Sequence, residues 1–297
     1  MEEAIFKLKD GRSLSYAVYG DSNGAAVFYF HGTPSSRLEP LLINQYGYDL
    51  EDLLQKSGIR LIAVDRPGMG FSTYNPQGNY ISFADDVRQL AAHLSIGLCP
   101  VLCWSGGGPY ALALAHRYPE LISSVHIICS FTRRFDREVS SQMGMNKWYF
   151  WAAKYAPFVL RTSMNILSWK KIRRVVPRKI SGLPFEDYRL LNTPAKLDYL
   201  AVHTMKQATR LGARGAVHEA RNYFNDAGFR LQEIQQPVHY WWGEKDMTVI
   251  RLHPEELERK VPNAVMHYRG GEGHLSLYVN CFREVLQVLS QSVRELV

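Results

Sequence analysis

The chain is poor in cysteine, has no long apolar run, and is short of acids in one third of its length. The 4 cysteines, at 99, 103, 129 and 281, match neither a disulfide framework nor a zinc spacing. Free, buried thiols in a reducing cytoplasm are therefore expected. No stretch of about 18 apolar residues occurs, so no membrane-spanning helix is predicted. The first residues, Met1-Glu2-Glu3-Ala4-Ile5-Phe6-Lys7, lack a basic region followed by an apolar one, so no signal peptide is expected. Repeats and low-complexity tracts are missing. Hydrophobic residues at 46% and charged residues at 21% exclude collagen-like, coiled-coil and disordered chains. The 297 residues fit one large domain, or one domain with a smaller inserted piece.

The net charge is +7, unevenly spread. Residues 131–235 hold 19 lysines and arginines against 8 acids, while the remainder has 16 against 20. The densest basic run is Lys170-Lys171-Ile172-Arg173-Arg174, continuing to Arg178-Lys179. A solvated helix face accounts for such a run, and an anionic substrate or lipid surface is its functional alternative. No zinc-finger or RNA-recognition signature accompanies it, so a nucleic-acid partner is not expected.

Hydrophobic patterning gives the elements. Residues 3–9 and 14–19 read as strands around the turn Asp10-Gly11-Arg12. Residues 26–30, 58–64, 100–104 and 124–129 are continuous apolar runs, as in strands buried on both faces. Helical patterns fall over 47–56, over a stretch that Ser82 opens as a cap, and over 106–116 with Pro109 in the permissive first turn. The alternation resumes after residue 235, with strands over 238–242 and 264–268 and helices over 254–260 and 281–296. This alternation predicts an α/β fold, a mainly parallel sheet with helices on both faces. Residues 131–235 break the rhythm with helical stretches rich in aromatics, Trp148 to Phe158 and Trp169 among them. They read as a helical insertion whose aromatics form its core or line an apolar pocket.

The most informative segment is Cys103-Trp104-Ser105-Gly106-Gly107-Gly108, which joins a buried strand to a helix. A serine in so sharp a turn needs small residues two positions away on each side, and Cys103 stands where a glycine is usual. Gly106 begins the helix N-terminal turn, where its N–H is a candidate oxyanion donor. Neither G-x-x-x-x-G-K-[ST] nor G-x-G-x-x-G is present, which argues against a phosphate loop. His31-Gly32-Thr33-Pro34 follows another buried strand, and Thr33 is its best candidate donor, because Pro34 has no N–H. A serine hydroxyl needs a base, and the base needs an acid to orient it. Asp246 and His274, each after a late strand, supply these in the order Ser105, Asp246, His274. Glu244 is the rival acid.

With Asp65-Arg66-Pro67-Gly68-Met69-Gly70-Phe71-Ser72, these segments resemble the α/β-hydrolase fold superfamily in its cap-bearing serine hydrolase branch, over nearly the whole chain. The resemblance implies an eight-stranded, mainly parallel sheet built from 1–130 and 236–297, with 131–235 as a helical cap. It also implies that His31 shapes its loop and that the Asp65-Arg66 segment contributes a loop-fixing ion pair. Catalytic Ser105, Asp246 and His274, with Thr33 and Gly106 as the oxyanion hole, would hydrolyse a small carboxylic ester or related acyl compound. No metal or organic cofactor is implied. A serine nucleophile does not fit the family's dehalogenase or epoxide-hydrolase chemistries.

The same triad on a peptide, lactone, thioester or carbon–carbon bond is the alternative, and a non-catalytic ligand-binding protein is a third reading. Scarce acids in 131–235 argue against an aminopeptidase, which must anchor an amine. The expected partner is a small anionic or apolar substrate. A homo-oligomer and attachment to anionic membranes through the basic segment are compatible with the sequence.

Overall fold

The computed structural model describes residues 1–297 except 145, 170–182, 192, 202–205 and 296–297. The basic run 170–179 lies outside the described residues, and so does the side chain of Trp169.

Eight strands form one sheet: β1 (Glu2–Lys7), β2 (Ser13–Gly20), β3 (Ala25–Phe30), β4 (Ile59–Val64), β5 (Cys99–Ser105), β6 (Ile122–Ser130), β7 (Val238–Gly243) and β8 (Ala264–Arg269). Their order is β1-β2-β4-β3-β5-β6-β7-β8. The pairs β1–β2 and β2–β4 are antiparallel, and all later pairs are parallel. The predicted α/β sheet is therefore observed. The apolar runs become its centre: every residue of β5 is buried, as a strand covered on both faces requires.

The helices before residue 130 are α1 (Leu50–Lys56), α2 (Tyr80–His93) and α3 (Gly108–Arg117). Between β6 and β7 come α4 (Arg137–Gln142), α5 (Lys147–Tyr155), α6 (Pro157–Trp169), α7 (Phe185–Leu190), α8 (Pro194–Ala201) and α9 (Arg214–Asn222). The chain ends with α10 (Leu252–Lys260) and α11 (His274–Arg294). Both α3 and α11 pack on β5 and β6. Among the described residues, no strand lies between β6 and β7.

Two boundaries differ from the sequence expectation. Asn79, not Ser82, is the N-cap of α2: its Oδ1 accepts the Ser82 N–H at 2.8 Å, and Ser82 Oγ accepts the Asn79 N–H at 2.9 Å. Ser82 is thus the inner partner of a reciprocal capping box. The last helix begins at His274, seven residues earlier than the periodicity suggests. Polar His274, Ser276 and Asn280 at its start obscure the pattern.

The histidines of the late strands take structural places. His126 stacks on His239 at 5.0 Å, and His267 stacks on Trp241 at 4.2 Å. Burial holds His126 well below the usual imidazole range. All four cysteines are free and buried.

Candidate active site

Ser105 ends β5 and has φ 52°, in the left-handed region that non-glycine residues rarely adopt. The glycines that follow are required by close approach. A Cβ on Gly106 would lie 2.6 Å from Thr33 Cβ and run into the Tyr223 hydroxyl. A Cβ on Gly107 would lie 3.0 Å from Cys103 Cβ. A small residue at 103 is therefore needed, and cysteine meets that need.

The loop His31–Pro34 lies against this turn. A Cβ on Gly32 would come 3.2 Å from Ser105 Cβ, on the side facing Glu39. Both Glu39 carboxylate oxygens accept the Gly32 N–H, at 2.8 and 2.9 Å, and Tyr29 Oη donates to it at 2.8 Å. Burial pushes the Glu39 carboxyl up to about 7, although these bonds oppose the shift. His31 is fully buried; its Nδ1 lies 2.8 Å from Gly32 O, and its Nε2 accepts the Arg66 N–H at 3.3 Å.

Asp246 stands in the turn after β7. Its Oδ1 accepts the N–H groups of Thr248 and Val249 at 2.7 and 2.8 Å. Its Oδ2 lies 2.7 Å from His274 Nδ1, and His274 Nε2 lies 3.0 Å from Ser105 Oγ. Burial pushes the His274 imidazole down, but the carboxylates around it, Asp246 first and then Asp187 and Glu39, together outweigh it and the net shift is upward. Glu244 is exposed, and the imidazole pairs with Asp246. The loops bearing acid and histidine are stitched together by Lys245 N–H to Glu272 O at 2.9 Å and Glu244 N–H to Arg269 O at 3.0 Å. Trp104 stacks on His274 at 5.3 Å and on Tyr278 at 4.4 Å, so this tryptophan is a buried support of the imidazole.

The structure thus brings together Ser105, Asp246, His274, Thr33 and Gly106. It adds three residues from the stretch between β6 and β7. Asp187 on α7 caps the start of α11: Oδ2 accepts the His274 N–H at 2.9 Å, and Oδ1 accepts those of Leu275 and Ser276 at 3.0 and 2.8 Å. Glu219 on α9 holds Arg66, whose Nε and Nη2 reach its carboxylate at 2.5 and 2.8 Å. Arg66 also donates to His31 O and, at 2.8 Å, to Gly32 O. Tyr223 Oη donates to Gly106 O at 2.9 Å and lies 3.2 Å from Thr33 Oγ1. The ion pairs of the Asp65-Arg66 segment have distant partners: Arg66 pairs with Glu219, and Asp65 with Arg37 at 2.8 Å. No local spacing could reveal partners 28 and 153 residues away.

The model of the alpha/beta hydrolase fold family matches residues 25–280 of this chain. The chain belongs to the alpha/beta hydrolase fold family. It is a hydrolase, in the company of curated relatives such as the uncharacterized hydrolase YcgS of Bacillus subtilis. That protein is 23% identical over 275 residues, covering 90% of this chain and 89% of its own. A carboxylesterase of the thaumarchaeon Nitrososphaera gargenis superposes with a TM-score of 0.73 at 18% identity, over 99% of this chain and 100% of that one. A thermophilic esterase from Thermogutta terrifontis gives 0.67 at 19% identity, over 99% of both chains. At these identities the two structures establish the fold. Among the described residues no helix is long and apolar enough to cross a membrane.

One expectation about the aromatics is corrected. Trp148, Trp151, Tyr155 and Phe158 are 52–70% exposed and are not the core of the inserted helices. Helical spacing explains this: Phe150 and Ala153 face inward from α5, leaving 148, 151 and 155 on the outer side. Three of these line a cavity of about 620 Å³, together with Phe135, Phe150 and Phe224. Ser105 is not among its lining residues, but Phe135 stacks on Tyr223 at 5.3 Å.

Proposed function

We propose that this hydrolase cleaves small carboxylic esters through Ser105, His274 and Asp246, with residues 131–235 as a cap over the core. The observation that carries this reading is the His274 ring, which reaches Ser105 Oγ with Nε2 and Asp246 with Nδ1. With the Nδ1 proton donated to Asp246, Nε2 is the acceptor for the Ser105 proton. Ser105 Oγ then attacks the ester carbonyl, and its proton passes to His274 Nε2. The carbonyl oxygen becomes an oxyanion, which the N–H groups of Thr33 and Gly106 stabilise. The intermediate collapses, the C–O bond to the alcohol breaks, and the alcohol leaves with the proton from Nε2. Water, deprotonated by the same nitrogen, releases the acid and restores the hydroxyl.

Asp246 works with both oxygens engaged. Its Oδ1 is held by two backbone amides, leaving Oδ2 to fix the imidazole and stabilise its charged form. The four buried thiols agree with a reducing compartment such as the cytoplasm.

The test is intact mass after incubation with a small fluorophosphonate, run beside Ser105→Ala. One adduct on the parent and none on the variant is expected, followed by turnover of p-nitrophenyl esters. A folded parent that takes no adduct and cleaves no ester would remove the proposal.

A further inference from the structure

The outer side of α5 and α6 is apolar, aromatic and cationic at once. Trp148, Trp151 and Tyr155 form one stripe on α5, with successive rings 6.3 and 5.4 Å apart. On α6, which follows directly, Phe158, Val159, Ile166 and Leu167 are exposed as well. Each of these seven side chains is at least 44% exposed. A helix pair that is apolar inward at Phe150, Ala153 and Met164, and apolar outward as well, requires a second apolar medium.

Cations border the stripe. Lys147 Nζ lies 5.6 Å from the Trp148 ring, Lys154 Nζ 5.2 Å from Tyr155, and Arg161 5.5 Å from Phe158. Residues 147–169 contain these three cations and no acid. Among the described residues none of the three is paired with a carboxylate. Arg161 also shares a depression with Arg214 and Arg221. The nearest acids along the chain before Lys147, Glu138 and Asp136, are both engaged by Arg133, at 2.6 and 2.7 Å. Tryptophan and tyrosine beside lysine and arginine, over an aliphatic face, is the composition of a segment lying in a lipid headgroup region.

We infer that the α5–α6 face docks on anionic phospholipid bilayers, with the aromatic stripe in the interface and Lys147, Lys154 and Arg161 on the lipid phosphates. Charge decides for this occupant. A second copy of this chain would bring the same cations against each other, whereas an anionic bilayer neutralises them. The inference is independent of the esterase reading.

The experiment is flotation of the full chain with vesicles of phosphatidylcholine alone and of phosphatidylcholine mixed with phosphatidylglycerol. Binding to the anionic vesicles is expected to exceed that to the neutral ones by at least ~10-fold, and to fall steeply at about 1 M salt. Lys147→Gln/Lys154→Gln/Arg161→Gln should lower it ~100-fold, at about fivefold per cation. Trp148→Ser/Trp151→Ser should abolish the shift in tryptophan emission on adding vesicles, with far-UV circular dichroism and melting unchanged. Equal binding to both vesicle types, or none, would overturn the inference. So would a concentration-dependent dimer that the tryptophan variant dissolves, with no vesicle binding, since the face would then belong to a second copy.

Discussion

Asp187 holds His274 by its backbone: the carboxylate Oδ2 accepts the His274 N–H at 2.9 Å, from a helix between β6 and β7. Two further amides, of Leu275 and Ser276, bind its other oxygen, so the first turn of α11 is capped from across the site. The same negative charge helps raise the imidazole pKa.

Asp187→Ala should therefore lower ester turnover by ~10- to 100-fold through misplacement of the imidazole. It should also move the acid limb of the pH–rate profile to lower pH, which loss of packing alone does not do. Asp187→Asn, which keeps an accepting oxygen, should recover part of the rate and little of the pH shift. A profile that does not move in Asp187→Ala would show that the residue acts on the fold only.

Arg66 and Glu219 are both buried and satisfy one another. Glu219→Ala leaves the guanidinium unpaired, and a loss of about 3–5 kcal/mol is expected in denaturant unfolding. Replacing the pair together, as Arg66→Met/Glu219→Leu, should cost less than the single change. It should still damage activity, because His31 O and Gly32 O lose their brace.

In the proposed mechanism only the neutral His274 ring can take the Ser105 proton. Its pKa is raised, so the rate should climb with pH through a midpoint above the ordinary 6.5. Asp246→Asn removes the first of the carboxylates that oppose burial, so the midpoint should move down. The maximal rate should fall by up to ~10⁴-fold as the tautomer is lost. A midpoint that stays in place would show that Asp246 does not set it.

Glu39 gives a stability prediction of definite sign. Its ordinary value is 4.5 and its folded value about 7, so between these the native state holds the proton more firmly than the unfolded chain. Its contribution is then complete below the lower value and is lost as pH rises through the upper one. Glu39→Gln cannot titrate, so the melting temperature of the variant relative to the parent should rise from about pH 5 to about pH 8. A constant difference would mean that Glu39 is ionised throughout.

The sheet was legible because β3 to β6 are buried on both faces, which leaves continuous apolar runs rather than alternation. Ser105 and His274 were legible because turn geometry and chemistry restrict their neighbours. Asp187, Glu219 and Tyr223 gave no signal. Each looks like an ordinary polar residue on or beside a helix, and only folding brings it to the core. The outward turn of Trp148, Trp151 and Tyr155 was hidden for another reason. Aromatics spaced for a helix face do not say whether protein covers that face.

Asp187, Glu219 and Tyr223 make the stretch between β6 and β7 a poor candidate for transplantation. A chimera that exchanges this stretch with that of a relative, to borrow its substrate preference, would also remove the cap on the His274 helix and the counter-ion of Arg66. Grafts would need to carry those three residues with them, or the recipient would lose rate before its selectivity could be compared.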